Sequence, residues 1–76
     1  MSKKLPRLTA LEVIKALHKL DFEEVRSSGS HKIYKNKDKS KRIVIPYHSG
    51  KIIHPKIIKD ILKVINIPLE EFIQLL

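Results

Sequence analysis

The chain has 76 residues, 42% of them apolar, and contains no cysteine. This length and apolar content suit one domain with a modest core, and the lack of cysteine excludes disulfide bridges and thiolate metal sites. Sixteen Lys and Arg against eight Asp and Glu give a formal charge of +8, which suits a polyanion such as nucleic acid without establishing one. We therefore expect residues 1–76 to form a single domain without covalent cross-links.

A helix start is predicted at Thr9. The spacing of Thr9 and Glu12 is that of a capping box, in which the hydroxyl and the carboxylate bind free backbone amides of the first turn. We expect the helix to cover residues 10–20 and Asp21 to end it, because aspartate tolerates the left-handed conformation better than most residues. The apolar residues expected to form its buried stripe are Leu11, Ile14, Leu17 and Leu20.

Three short strands are predicted after this helix, because aromatic and β-branched residues are mixed with charges there. The segments are FEEVRSS, KIYKN and RIVIPYH, at residues 22–28, 32–36 and 42–48. Gly29 lies in the corner between the first two, and the loop NKDKSK joins the second to the third. Both connections are short, so we expect an antiparallel meander, with Pro46 at a strand end or an edge because proline cannot donate a ladder hydrogen bond.

Helical spacing returns in the C-terminal part of the chain. Pro55 suits the first position of a helix over residues 55–65, and Pro68 with two glutamates behind it predicts a short final helix to about Leu76. The element order is then α-β-β-β-α-α, a two-layer α+β domain with helices on one face of the sheet. The other face is left to solvent or to a ligand.

Two motifs and a helix core carry a resemblance to a known family. The triplet Gly29-Ser30-His31 is followed by an aromatic at Tyr34, the run PYHSGK has the pattern Pro-x-His-x-Gly-Lys, and the predicted helix over 55–65 carries ILK. With these features the chain resembles, over nearly its whole length, the HicA toxins of bacterial and archaeal HicA/HicB toxin-antitoxin pairs.

The resemblance implies an α-β-β-β-α fold like that of a double-stranded-RNA-binding domain, here with a short extra C-terminal helix. It also implies an endoribonuclease that cleaves messenger RNA without the ribosome and is neutralised by a HicB antitoxin. In that family the histidine of the Gly-Ser-His triplet is catalytic, and it corresponds to His31.

The residues themselves predict where His31 lies. In a strand that starts near residue 30, Lys32 and Tyr34 point to one face and His31 to the other. The large aromatic should face the helices, so His31 is expected on the open face, close to the lysine-rich loop. There an imidazole can accept the proton of a 2′-hydroxyl or protonate the leaving oxygen, while lysines stabilise the phosphorane charge. The expected RNA contacts, secondary to His31, are Lys32, Lys35, Lys37, Lys39, Lys41, Arg42, His48 and Lys51.

Other interpretations of the histidines stay open. Without the resemblance, His31 is best taken for a surface residue with no role, and His48 is either a second acid/base or phosphate ligand or a solvated residue at a strand end. His18 and His54 are expected to be exposed or to cap backbone locally. No His, Asp or Glu cluster has metal-ligand spacing, so we expect neither a metal nor another cofactor.

Two rival functions fit the same frame. A non-catalytic RNA-binding module would share the charge and the fold but would not require His31. An interaction protein would instead use the open sheet face and a strand edge to bind a partner.

The sequence also bears on the cellular compartment. No apolar run approaches the ~18 residues of a membrane helix, and the first ten residues lack the apolar segment of a signal peptide. We therefore expect a cytoplasmic protein with no membrane partner, whose partners are RNA and a HicB-like antitoxin.

Overall fold

The computed structural model describes residues 7–48 and 50–76, and its elements follow in the order α-β-β-β-α-α. Their bounds are Ala10–Lys19 (α1), Glu23–Ser28 (β1), His31–Lys35 (β2), Arg42–Pro46 (β3), Pro55–Ile65 (α2) and Leu69–Ile73 (α3). This order confirms the predicted α+β class and the arrangement like a double-stranded-RNA-binding domain, with an extra short helix after α2. Within the described residues, no helix is long and apolar enough to cross a membrane.

The two ends of α1 follow the predicted local chemistry. The Oγ1 atom of Thr9 accepts a hydrogen bond from the Glu12 amide at 3.4 Å, and Oε1 of Glu12 accepts one from the Thr9 amide at 3.0 Å. After the last turn the chain passes through Asp21, whose φ of 66° lies in the left-handed region. Because such a residue cannot continue a right-handed helix, the chain turns there towards the sheet.

The buried stripe of α1 differs from the predicted one. Leu11 is 62% exposed, whereas Leu17 is fully buried. A helix turns by about 100° per residue, so a series with steps of three drifts by about 60° at each step and places Leu11 and Leu20 on opposite sides. The prediction for Leu11 was therefore wrong. The residues that α1 buries are Ala10, Val13, Ala16 and Leu17.

The strands form an antiparallel meander in the order β1-β2-β3. Gly29, at a φ of +57°, lies in the tight turn between β1 and β2, and Pro46 ends β3 at the edge of the sheet, as predicted. Between Glu24 and Arg26 the pairing with β2 shifts by one residue, which is a β-bulge. The bulge disturbs the pairing of β1 but not the order of the strands.

One face of the sheet is buried against the helices and the other is open. Tyr34 in β2 and Ile43 and Ile45 in β3 are at most 3% exposed and belong to the core. On the opposite face His31, Arg42 and Val44 are exposed, and Ile33 and Lys35 are half-buried. The alternation confirms the prediction that His31 lies on the open face.

The C-terminal helices complete the core. α2 begins at Pro55 as predicted, packs beside β3 and buries Ile58, Ile61 and Ile65. α3 buries Phe72 but is shorter than the predicted helix to Leu76. The amides of Leu75 and Leu76 bond to carbonyls three residues back, so the chain continues in tighter turns instead of an α-helix.

Candidate nucleic-acid interface around His31

His31 is the first residue of β2 and is held at a fixed point of the sheet. It pairs with Ser28 across the turn on one side and with Pro46 on the other. The amide of Tyr47 donates a hydrogen bond to the carbonyl of Ser30, which ties the segment before His31 to the end of β3. The backbone is thus fixed on both sides, while the imidazole itself is exposed.

The open face around His31 is rich in cations. Residues that pair directly across antiparallel strands share a face, so the open-face side chains stand in three rows. The rows are Ser28, His31 and Pro46; Arg26, Ile33 and Val44; and Glu23, Lys35 and Arg42. Arg26 therefore lies one row from His31, on the same face, and a single carboxylate accompanies four groups that carry or can carry positive charge.

A cleft of about 400 Å³ opens beside His31. It lies between β3 and α2, and its walls are mostly apolar. Its lining includes His31, Arg42, Val44, Pro46, Ile57, Asp60 and Val64. An imidazole, a guanidinium and a carboxylate thus border one apolar depression, a combination typical of ligand sites.

Lys32 lies on the face opposite His31. Its Nζ atom is 3.4 Å from Oε1 of Glu24 and 5.1 Å from the ring centroid of Tyr47. Glu24 also accepts a hydrogen bond at 3.4 Å from the hydroxyl of Tyr34. The structure therefore gives Lys32 an ion pair and an aromatic contact and does not bring it to His31.

The carboxylate of Glu24 also acts on the pKa of Tyr34. Burial and the negative charge of Glu24, together with the hydrogen bond to it, raise the pKa of Tyr34 to about 12. Loss of the phenol proton would place two negative groups side by side in a partly buried position. Tyr34 thus stays neutral, and with Glu24 and Lys32 it braces the helix-facing side of β2.

The lysine-rich loop between β2 and β3 lies at the far end of the sheet from His31. Lys35 is four residues further along β2, a span of roughly 13 Å at the usual rise per residue. The expectation that the loop is close to His31 was therefore wrong. The Gly29 turn lies at the start of β2, next to His31, whereas the lysine-rich loop follows the end of the same strand. Lys35, Lys37 and Lys39 instead line a separate cleft of about 390 Å³ with His18 and Asp21.

This loop is built by its own polar side chains. The Asn36 Oδ1 atom accepts a hydrogen bond from the Lys41 amide at 2.9 Å, and Asp38 Oδ1 accepts one from the Ser40 amide at 2.9 Å. Hydrogen bonds from the hydroxyl and the amide of Ser40 hold the pKa of Asp38 below its usual range. Lys37 and Lys39 are exposed, whereas Lys41 is half-buried. The loop is an ordered turn that presents two free ammonium groups at its tip.

The other histidines lie elsewhere. The Nδ1 atom of His54 accepts a hydrogen bond from the Lys56 amide at 3.0 Å, which confirms the predicted local capping. The ring of His18 lies edge-on to Tyr34, with centroids 5.9 Å apart. His48 is exposed and lines a small cleft of about 100 Å³ near the start of α1, with Thr9 and Tyr47. Among the described residues, His31 is thus the only histidine that lines the cleft between β3 and α2.

Comparison with protein-family models matches residues 10–67 to the one described as HicA toxin of bacterial toxin-antitoxin. The chain belongs to the HicA toxin family. A search of curated proteins found no match. The matched range runs from α1 through α2 and contains His31, the open face and the cleft, while α3 lies beyond it.

Sequence reasoning missed two features of this HicA toxin. Arg26 was left out because its strand was predicted without a register, although the two-residue turn at Gly29 pairs Ser28 with His31 and so fixes the face of Arg26. Asp60 was left out because nothing in its local spacing marks it. Only the position of α2 beside β3 brings Asp60 to the cleft that His31 lines. Lys51 is exposed, its amide donates a hydrogen bond to the His48 carbonyl, and it lies outside the three rows of the open face.

Proposed function

We propose that this HicA toxin is an endoribonuclease that cleaves messenger RNA without the ribosome and without a metal, with His31 as its catalytic residue. The observation that supports this most is the exposed imidazole of His31 on a cationic sheet face, at the border of a cleft. An RNA phosphate on that face meets an imidazole that can take up or give a proton, together with fixed positive charge. These are the requirements of RNA cleavage by proton transfer.

The chemistry follows from the 2′-hydroxyl of RNA. The 2′-oxygen attacks the adjacent phosphorus, the bond to the 5′-oxygen breaks, and the products end in a 2′,3′-cyclic phosphate and a 5′-hydroxyl. His31 takes the proton from the 2′-oxygen or gives one to the leaving 5′-oxygen, and proton transfer of this kind contributes about 10² to 10⁴ in rate. The guanidinium of Arg26, one row away, stabilises the extra negative charge of the phosphorane. A single acid/base group gives a slow enzyme.

The substrate strand runs along the open face. Arg26, Lys35 and Arg42 lie between His31 and the loop, so their charges follow the direction of β2 and β3. Lys37 and Lys39 extend the cationic path beyond the strand ends. Such contacts bind the phosphate backbone at any sequence and make affinity strongly salt-dependent.

The antitoxin is proposed to be of the HicB type and to act on the same face. A partner with carboxylates opposite Arg26 and Arg42 would bind this face through complementary charges and would cover His31. Occlusion of the open face silences the toxin without any change in its fold.

A non-catalytic RNA-binding module remains the rival, and one observation favours it. In the part of the chain that the structure describes, the His31 cleft has no second histidine that could share proton transfer. Binding through cations alone would need no imidazole.

Cleavage of a defined RNA by the wild-type protein and by His31→Ala separates the two functions. The matched control is His18→Ala, which removes an exposed imidazole from α1 and leaves the open face intact. Wild type and His18→Ala are expected to give 2′,3′-cyclic phosphate ends, and His31→Ala to give almost none. Equal product from wild type and His31→Ala would exclude the catalytic role and favour the binding module.

A further inference from the structure

α2 has one side in the core and another side along the cleft. Ile57, Asp60 and Val64 follow each other at spacings of three and four, so they stand in one stripe along the helix. This stripe lines the cleft that His31 borders, while Ile58 and Ile65 are buried in the core. The cleft-facing stripe is apolar except for one carboxylate.

Asp60 is an unusual residue at this place. The chain has a formal charge of +8, and Asp60 lines the same cleft as Arg42 and His31. Within residues 7–48 and 50–76, no salt bridge or side-chain hydrogen bond engages its carboxylate. A carboxylate repels phosphate, so it weakens binding of the RNA backbone. Asp60 is exposed, so its carboxylate is open to a part of a ligand that donates hydrogen bonds.

The lining of the cleft suits the face of an apolar group. Val44 and Pro46 on the strand side and Ile57 and Val64 on the helix side supply apolar surface. A volume of about 400 Å³ lies within the range of small-ligand sites. Nucleobases have apolar faces and polar edges, and RNA-binding proteins take single-stranded bases by contacting both.

We propose that the cleft between β3 and α2 is a base-binding subsite, in which a base next to the cleaved phosphate lies between these walls and Asp60 reads its edge. A carboxylate only accepts hydrogen bonds, and guanine offers it two adjacent donors, N1–H and the 2-amino group. Adenine and cytosine offer one amino group, and uracil offers a single N–H between two carbonyl oxygens that repel a carboxylate. Asp60 therefore favours guanine most and uracil least. This inference rests on the proposed cleavage at His31 for its biological meaning.

The subsite is testable without cleavage. Guanosine and uridine 5′-monophosphates contain no internucleotide bond, so they report binding only. In ¹⁵N- and methyl-labelled wild type, the guanosine nucleotide is expected to shift the signals of Ile57 and Val64 at lower concentration than the uridine nucleotide does. Asp60→Asn is expected to abolish this difference. The control, Glu71→Gln, makes the same change of carboxylate to amide on the exposed face of α3 and should preserve it.

Cleavage of an RNA pool with all bases at each position supplies the second readout. Wild type is expected to prefer guanine beside the cleaved bond. In Asp60→Asn the discrimination between guanine and uracil is expected to fall by about 10- to 100-fold. This is the range of one good carboxylate or amide contact to a base edge. Val44→Thr, which puts a hydroxyl into the cleft wall at nearly constant shape, is expected to weaken guanosine nucleotide binding. Val25→Thr on β1 should leave it unchanged.

The outcomes separate this inference from the proposed function. Guanosine-specific shifts at Val64 without RNA cleavage would support the subsite and exclude the nuclease. Cleavage with unchanged base preference in Asp60→Asn would leave the nuclease and overturn the subsite. A uniform loss of rate at all sequences would also overturn it, because Asp60 would then act on His31. Loss of antitoxin binding alone, with no nucleotide shift, would assign the cleft to a protein side chain.

Discussion

Arg26 and His31 are diagonal neighbours on the open face of the β1-β2 hairpin. The register pairs Ser28 with His31 and Arg26 with Ile33, so the guanidinium and the imidazole rise from adjacent rows of one surface. Diagonal pairs in antiparallel strands have their Cα atoms roughly 7–8 Å apart, a separation that long side chains bridge. A phosphate held by Arg26 therefore lies within reach of the His31 ring.

We expect Arg26→Gln to lower both RNA affinity and the cleavage rate of bound RNA. The first effect follows from one lost phosphate contact, and the second from lost stabilisation of the phosphorane. The control, Arg7→Gln, removes the same charge from an exposed position before α1. It should change RNA affinity and the cleavage rate of bound RNA much less than Arg26→Gln does. Equal effects of the two variants would mean that only net charge matters.

The loop lysines are expected to affect binding without affecting chemistry. Lys37→Gln with Lys39→Gln should weaken binding at all sequences and flatten the slope of log affinity against log salt, because fewer counterions are released. The control is Lys15→Gln with Lys19→Gln, which removes the same charge from α1. Since the loop lies far from His31, the rate of cleavage at saturating RNA should stay near that of wild type. An unchanged salt slope would mean that the loop is only solvated.

The sequence predicted those features that depend on a few neighbouring residues. Thr9 and Glu12 define a cap between them, and the period of two along β2 is enough to separate His31 from Tyr34. The Gly29 turn even contained the information that places Arg26, because a two-residue turn fixes the register. The prediction for Leu11 was wrong because it depends on the phase of a whole helix. Asp60 was missed because its place depends on where one element packs against another. The position of α2 beside β3 follows from the core as a whole, so no local pattern could predict the cleft.

The corrected stripe of α1 can be tested with one substitution made at two places. Leu17 is fully buried, so Leu17→Ala should cost about 2–5 kcal/mol in the free energy of unfolding, from lost burial and the cavity left behind. Leu11 is exposed, and Leu11→Ala should stay within about 0.5 kcal/mol. Urea denaturation of both variants measures the difference. Similar losses would contradict the orientation of α1 described above.

Tyr34 gives the protein a component of stability that is lost in alkali. Burial and Glu24 raise its pKa to about 12, above the value of about 10 in an unfolded chain. Between these two pH values the unfolded chain releases the phenol proton while the folded chain keeps it, so stability falls as the pH rises. Below that window the contribution is fully present. In Tyr34→Phe this loss is absent, and denaturation midpoints should fall less steeply with pH than in wild type. Parallel slopes would contradict the raised pKa.

The proposed RNA cleavage depends on His31. His31 is exposed and buries no core surface, so His31→Ala should change the free energy of unfolding by no more than about 0.5 kcal/mol. RNA affinity should change little, because phosphate contacts dominate binding. The decisive measurement is the single-turnover rate at saturating RNA, with thermal melts and binding isotherms of the same samples. We predict a folded, RNA-binding variant whose cleavage is slower by about 10² to 10⁴, and equal rates for His31→Ala and wild type would contradict the catalytic role.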